Sequence, residues 1–232
     1  RNQDLDVLFF GAGAVGGTVS AWLGQVYDNV YVLDQGQIAA AMKSKGITVY
    51  QGDKKNQPQN VKVQVIDDIN QKPDPDVVVI SVKNYSLDSV AKYLKEKLIS
   101  DPIIVALQNG IDNQKILPKY FHRVIYGIVS YNAWMDEPGV IGYQKKGPLV
   151  LGTIDNQLQE ERKAVASILN LGVETILTSL LQDAAHSKMI INLTNSLTTL
   201  IGHGFKEISD FSLFQDLLSN LTYEGVKIVK SA

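Results

Sequence analysis

Three sets of residues in this 232-residue chain have types and spacings that could do chemistry. The first is Gly11-Ala12-Gly13-Ala14-Val15-Gly16, a GxGxxG loop. Where such a loop joins a strand to a helix, it cradles a pyrophosphate. The first glycine permits the tight turn, the second lets phosphate approach the backbone, and the third lets helix and strand pack closely. The helix start then offers free N–H groups and the positive end of its dipole. Asp34 lies about 20 residues further on, where an acid accepts a hydrogen bond from the adenosine ribose 2′-OH and repels a 2′-phosphate. No Arg or Lys lies between Asp34 and Ala41 to hold that phosphate. NADH is therefore favoured over NADPH. The plainer role for Asp34 is to cap a following helix.

The second set follows two apolar runs. Residues 76–82 lead into Lys83, and residues 103–107 lead into Gln108-Asn109-Gly110. In open α/β sheets, ligands bind beyond the carboxyl ends of strands. Lys83 there can approach a cofactor or an anionic substrate, and Asn109 can hydrogen-bond a ribose or a substrate. A solvated lysine and an ordinary Asn-Gly turn explain them equally well.

The third set is a stripe. On a helix running from Asp183 to Ile201, Lys188, Asn192, Asn195 and Thr199 share one face, and the other faces are mostly apolar. A helix apolar on most sides is buried on most sides, so its polar stripe must meet solvent, a partner or a ligand. A lysine whose pKa is shifted by such a setting can serve as an acid or base. Snorkelling beside a polar seam is the plain alternative.

These residues need elements to position them. Residues 5–10 predict a buried parallel strand and are followed by a small-residue, amphipathic helix to about Leu23. Residues 29–33 predict a second strand, and 37–45 a helix. Residues 46–66 predict short paired strands around a polar turn. A strand at 76–82, a helix at 86–98 and a strand at 103–107 follow. Strands alternating with helices imply a doubly wound, parallel α/β sheet. Residues 124–152 are β-rich, 157–171 helical and 173–177 a short strand, and everything after about Asp183 reads as helix. The expected organisation is a dinucleotide-binding Rossmann-type domain over 1–180 and the start of a helical domain over 181–232.

Composition removes other classes. The net charge is −2, which leaves no electrostatic footprint for nucleic acid. There is no cysteine, and the three histidines lack ligand spacing, so no metal site is expected. No apolar run approaches the roughly 18 residues of a membrane span, and no signal-peptide pattern opens the chain. Cytoplasm is the default location.

Taken in order, the segments GAGAVGG, VKNYSLD, ALQNG and SKMIINLTNSL resemble the ketopantoate reductase family, the 2-dehydropantoate 2-reductases. The resemblance covers nearly the whole chain. It implies a Rossmann domain followed by an all-helical C-terminal domain of the 6-phosphogluconate-dehydrogenase-like kind, with the active site in the cleft. It also implies NAD(P)H-dependent reduction of the 2-keto acid ketopantoate to pantoate, on the way to pantothenate and coenzyme A. By resemblance, Gly11 to Gly16 hold phosphate. Lys83 and Asn109 contact cofactor, and Ala133 matches a backbone contact to it. Lys188 is the catalytic proton donor, and Asn192 binds substrate.

Three departures stand out. NADPH is the family norm, which Asp34 opposes. Ser196 stands where the second substrate asparagine is expected. The helical domain is expected to be truncated, without counterparts for the family's later serine and glutamate, so this chain alone is expected to reduce ketopantoate poorly. Asp34 and Ser196 leave room for an NAD-dependent 2-hydroxyacid dehydrogenase on another branched 2-keto acid. A non-catalytic nucleotide-binding module is the rival from another class. Apolar surface on an incomplete helical domain leaves room for a homodimer.

Overall fold

The computed structural model describes residues 4–82, 87–107 and 113–181. Its elements run β1 (Val7–Phe10), α1 (Ala14–Gly24), β2 (Val30–Leu33), α2 (Gly36–Lys45), β3 (Ile47–Gln51), β4 (Gln59–Val61), β5 (Gln64–Ile66) and β6 (Val77–Ile80). They continue with α3 (Leu87–Lys97), β7 (Ile103–Ala106), α4 (Asn113–Ile116), β8 (Val124–Val129), β9 (Ala133–Glu137), β10 (Val140–Tyr143), β11 (Leu149–Gly152), α5 (Gln159–Gly172) and β12 (Thr175–Leu177). The chain divides into two compact units, the first ending at Leu181.

Eight strands form the main sheet in the order β12-β11-β8-β7-β6-β1-β2-β5. All pairs are parallel except β11 with β8. Strands β1, β6 and β7 are apolar throughout because helices cover both faces of a parallel sheet, and their residues are almost wholly buried. The strand order reverses between β1 and β6, which is the switch point where doubly wound sheets open a crevice. Register fixes what meets there. Phe10 pairs with Leu33 on one side and Ile80 on the other. The next residues, Gly11, Asp34 and Ser81, therefore share one edge of the sheet.

Four strands form a second sheet, β4-β3-β10-β9. The β3–β4 pairing is the expected hairpin, but β5 leaves it to extend the main sheet beside β2. Strand β10 joins β3 in parallel, with Val140 opposite Thr48. This sheet changes the character of α1. The sequence suggests an amphipathic helix, yet every residue from Gly16 to Leu23 is buried. The main sheet takes one side of α1, the second sheet another and α5 a third. Its small residues permit this crowding: a Cβ on Gly17 would overlap Ile141 of β10. Gly172 of α5 lies directly against the α1 backbone at Trp22 and Leu23. Trp22, Leu23 and Val19 are essentially inaccessible, and burying a side chain of this size contributes about 1.5–3 kcal/mol.

Helices α3 and α5 are amphipathic as their spacing predicts. Leu87, Val90, Ala91 and Leu94 bury one face of α3, and Val165, Ala166, Ile168 and Leu169 bury one face of α5. At the opposite edge of the sheet, Lys72 bridges Asp6 at 2.6 Å and Asp74 at 3.0 Å. Burial alone would lower its pKa, but the two carboxylates outweigh that and hold it above the usual lysine range.

Candidate functional site

The edge shared by Gly11, Asp34 and Ser81 is built from the backbone up. Gly11 has φ of +101°, which L side chains rarely adopt, and a Cβ there would come within 2.7 Å of Val82 Cγ1. Its N–H donates to Leu33 O at 2.9 Å, continuing the sheet for one more residue. The turn is then held from both flanks. The Ala12 N–H donates to Asp34 Oδ2 at 2.8 Å, and the Ser81 hydroxyl donates to Gly11 O at 3.2 Å.

Asp34 also accepts from the Gln35 N–H at 2.7 Å through Oδ1. It is not the cap of α2: the N-cap there is Gln35, which makes no side-chain capping bond. Each carboxylate oxygen accepts one backbone N–H and keeps a lone pair for a further donor. The half-buried group is fixed at the end of β2, beside the glycine loop.

Gly13 is the N-cap of α1, with φ of −70° and no side-chain cap, and the first turn carries no acid. No atom lies within 4 Å of where its Cβ would be. The start of α1 thus presents N–H donors that no side chain satisfies, below open space. Gly16 is the opposite case, because its Cβ would overlap both Gly11 O and Ser81 Oγ. The three glycines therefore serve three different needs, a positive φ, an open approach and close packing. Unsatisfied N–H donors, a helix dipole and a fixed acid together suit the pyrophosphate and adenosine ribose of a dinucleotide.

Ala133, half-buried, is the first residue of β9 and lies opposite Tyr143 of β10. Lys83, Asn109, Lys188, Asn192, Asn195 and Ser196 lie outside the described residues. The structure thus brings together Gly11 through Gly16 and Asp34, and places Ala133 on the neighbouring sheet that packs against α1. Three residues of the loop's surroundings escaped the sequence: Ser81, Thr18 and Tyr131, the partner of Thr18. Ser81 had a signal in hindsight, as the one polar residue in an apolar strand end. Tyr131 had none.

Among the described residues, no group of three or more acidic, histidine or cysteine side chains could hold a metal ion. No described helix is long and apolar enough to cross a membrane.

Comparison with known proteins bears on this geometry. A model of the ketopantoate reductase PanE/ApbA family matches residues 7–156. The chain belongs to this family. The match contains the glycine loop, Asp34 and Ala133. A 2-dehydropantoate 2-reductase of Archaeoglobus fulgidus is 31% identical over 163 residues, 70% of this chain and 52% of that protein. One from Pyrococcus horikoshii is 25% identical over 227 residues, 97% of this chain and 73% of that protein. The chain thus spans about half the length of the first of these relatives. A PanE/ApbA family ketopantoate reductase structure from Ralstonia eutropha superposes with a TM-score of 0.68 at 25% identity, covering 80% of this chain and 60% of that one. A D-mandelate dehydrogenase solved with NADH shares the fold, with a TM-score of 0.72 at 19% identity, covering 98% of this chain and 73% of that one.

Proposed function

We propose that this chain carries the dinucleotide site, and the start of the catalytic helical region, of a nicotinamide-dependent reductase of 2-keto acids, with 2-dehydropantoate as substrate and NADH as the preferred cofactor. One observation carries the cofactor reading. The Asp34 carboxylate is fixed by two backbone N–H groups beside the glycine loop, with an uncapped helix start next to it. Family membership supports the substrate class.

The first-turn N–H groups of α1 bind the pyrophosphate. Asp34 accepts from the ribose 2′-OH and repels a 2′-phosphate. Lys83, Asn109 and the Ala133 backbone orient the remainder of the dinucleotide, on the strength of the family resemblance. When bound, the nicotinamide supplies the hydride. Lys188 polarises the 2-keto oxygen and provides the proton to the alkoxide that forms there, and Asn192 and Ser196 position the substrate. The product, pantoate, leads to pantothenate and coenzyme A.

Ser196, in place of an asparagine, favours a second reading, a 2-hydroxyacid dehydrogenase for another branched 2-keto acid. Both are tested by following NADH and NADPH oxidation with ketopantoate and a panel of branched 2-keto acids. Turnover with NADH above NADPH, fastest on ketopantoate, is the expected result. Faster turnover of another keto acid selects the second reading, and preference for NADPH overturns the role given to Asp34. Lys188→Ala should lower turnover by orders of magnitude while NADH still binds. Full retention of function would instead mark a non-catalytic nucleotide-binding module.

A further inference from the structure

We propose that Tyr131 is a positioning residue for the cofactor: its hydroxyl ties the corner between β8 and β9 to the first turn of the phosphate-loop helix. The inference rests on the dinucleotide reading above and adds a residue to it. The Tyr131 and Thr18 hydroxyls are 2.8 Å apart. Thr18 Oγ1 also lies 2.8 Å from Ala14 O and 2.9 Å from Val15 O, both in the first turn of α1. Thr18 has a single hydroxyl proton, and the carbonyls can only accept. Thr18 therefore donates to the carbonyls and accepts from Tyr131. Burial holds the Tyr131 phenol above its ordinary pKa, which keeps that donor in place.

A second contact runs in parallel, one helical turn along. Trp22 is four residues after Thr18, on the same face of α1. Its ring meets Tyr131 at 5.1 Å between centroids and meets Tyr143 edge-on at 5.0 Å. Tyr143 is the β10 residue opposite Ala133. Ala133, proposed to contact the cofactor through its backbone, is thus tied to α1 on both sides, by Tyr131 two residues before it and by Tyr143 across the strand pair. The hydroxyl pair is the directional part of that tie, because ring packing alone permits sliding. A dinucleotide that bridges the α1 start and the β9 start feels any change in their spacing.

The test is a double-mutant cycle on NADH affinity, with thermal stability measured alongside. Y131F removes only the hydroxyl, and T18V replaces a hydroxyl by a methyl group. Each should weaken NADH binding by roughly three- to tenfold, the size of one lost hydrogen bond. The double variant should be no weaker than either single one, since both break the same link. T18S, which keeps the hydroxyl, should bind as the unaltered chain does and serves as the control if Y131F folds poorly. Affinity unchanged in Y131F and T18V, or multiplicative losses in the double variant, would overturn the proposal. So would equal losses in T18S and T18V. If the unaltered chain binds neither NADH nor NADPH, the dinucleotide reading falls first and this inference falls with it.

Discussion

Replacing Gly13 and Gly16 separately by alanine should divide folding from binding. Gly13 has φ of −70° and ψ of −164°, which alanine adopts, and its new methyl group would meet no atom within 4 Å. Gly→Ala at a compatible position restricts the unfolded chain and stabilises by about 0.4–1 kcal/mol. G13A should therefore unfold at the same or slightly higher denaturant concentration. The open space the methyl enters is the approach to the α1 N–H donors. Charge-assisted hydrogen bonds contribute about 1.5–3 kcal/mol each, so losing one to a phosphate weakens NADH roughly ten- to hundredfold. Gly16 has no such room, since its Cβ would overlap Gly11 O and Ser81 Oγ. Backbone shifts that relieve overpacking cost about 1–3 kcal/mol, and here they also disturb the Ser81–Gly11 hydrogen bond. G16A should lose stability and binding together. Equilibrium denaturation gives the first quantity, and fluorescence titration with NADH the second. Unaltered NADH affinity in G13A, or unaltered stability in G16A, would refute the division of labour among the glycines.

Three further substitutions test other parts of the structure. D34N keeps the shape but leaves one oxygen acceptor for the two N–H groups of Ala12 and Gln35. NADH should bind more weakly, and the ratio of affinities should move toward NADPH by roughly 5- to 30-fold as half-screened repulsion of a phosphate disappears; an unchanged ratio refutes the specificity role. The Tyr126 hydroxyl is buried without a hydrogen-bond partner among the described residues, and burial pushes its pKa up to about 12. Y126F should be neutral or up to about 1 kcal/mol stabilising in denaturant titrations. The stability owed to the neutral Tyr126 phenol is complete below its unfolded value of about 10 and declines as pH rises toward the folded value. Y126F should therefore flatten the alkaline loss, and a profile identical to the unaltered chain would contradict this. On the second sheet, Asp136 accepts from Tyr50 at 2.5 Å and pairs with Lys55 at 3.1 Å, and these two partners hold its pKa below the usual value. Its contribution is present above about pH 4 and fades as pH falls through the depressed folded value. NMR titration should show the Asp136 midpoint rise in Y50F, and no movement would refute the assignment.

Much of the architecture was legible from local pattern. The run 103–107 is wholly apolar and 76–82 is apolar but for Asp76 and Ser81 near its ends, so strands buried on both faces could be placed to within a residue or two of β6 and β7. The loop from Gly11 to Gly16 was legible because its spacing answers a local backbone need. Local pattern does not report which distant strand covers an element. Strand β10 pairs with β3 from far along the chain, and that sheet turns α1 from a helix expected to be amphipathic into one buried all round. Nor does local pattern report that Lys55, beyond the end of β3, pairs at the surface with Asp136 of β9.

By itself the sequence determined the doubly wound plan, the glycine loop and the acid after β2, because strand and helix periods and turn chemistry act between near neighbours. Only the tertiary structure decided what Asp34 holds and what Tyr131 reaches. The Asp34 carboxylate bonds Ala12 because β1 and β2 run in register, and Tyr131 reaches Thr18 because the second sheet lies over α1. Contacts between residues 22 and 113 positions apart are set by the packing of whole elements, which no short stretch of sequence encodes.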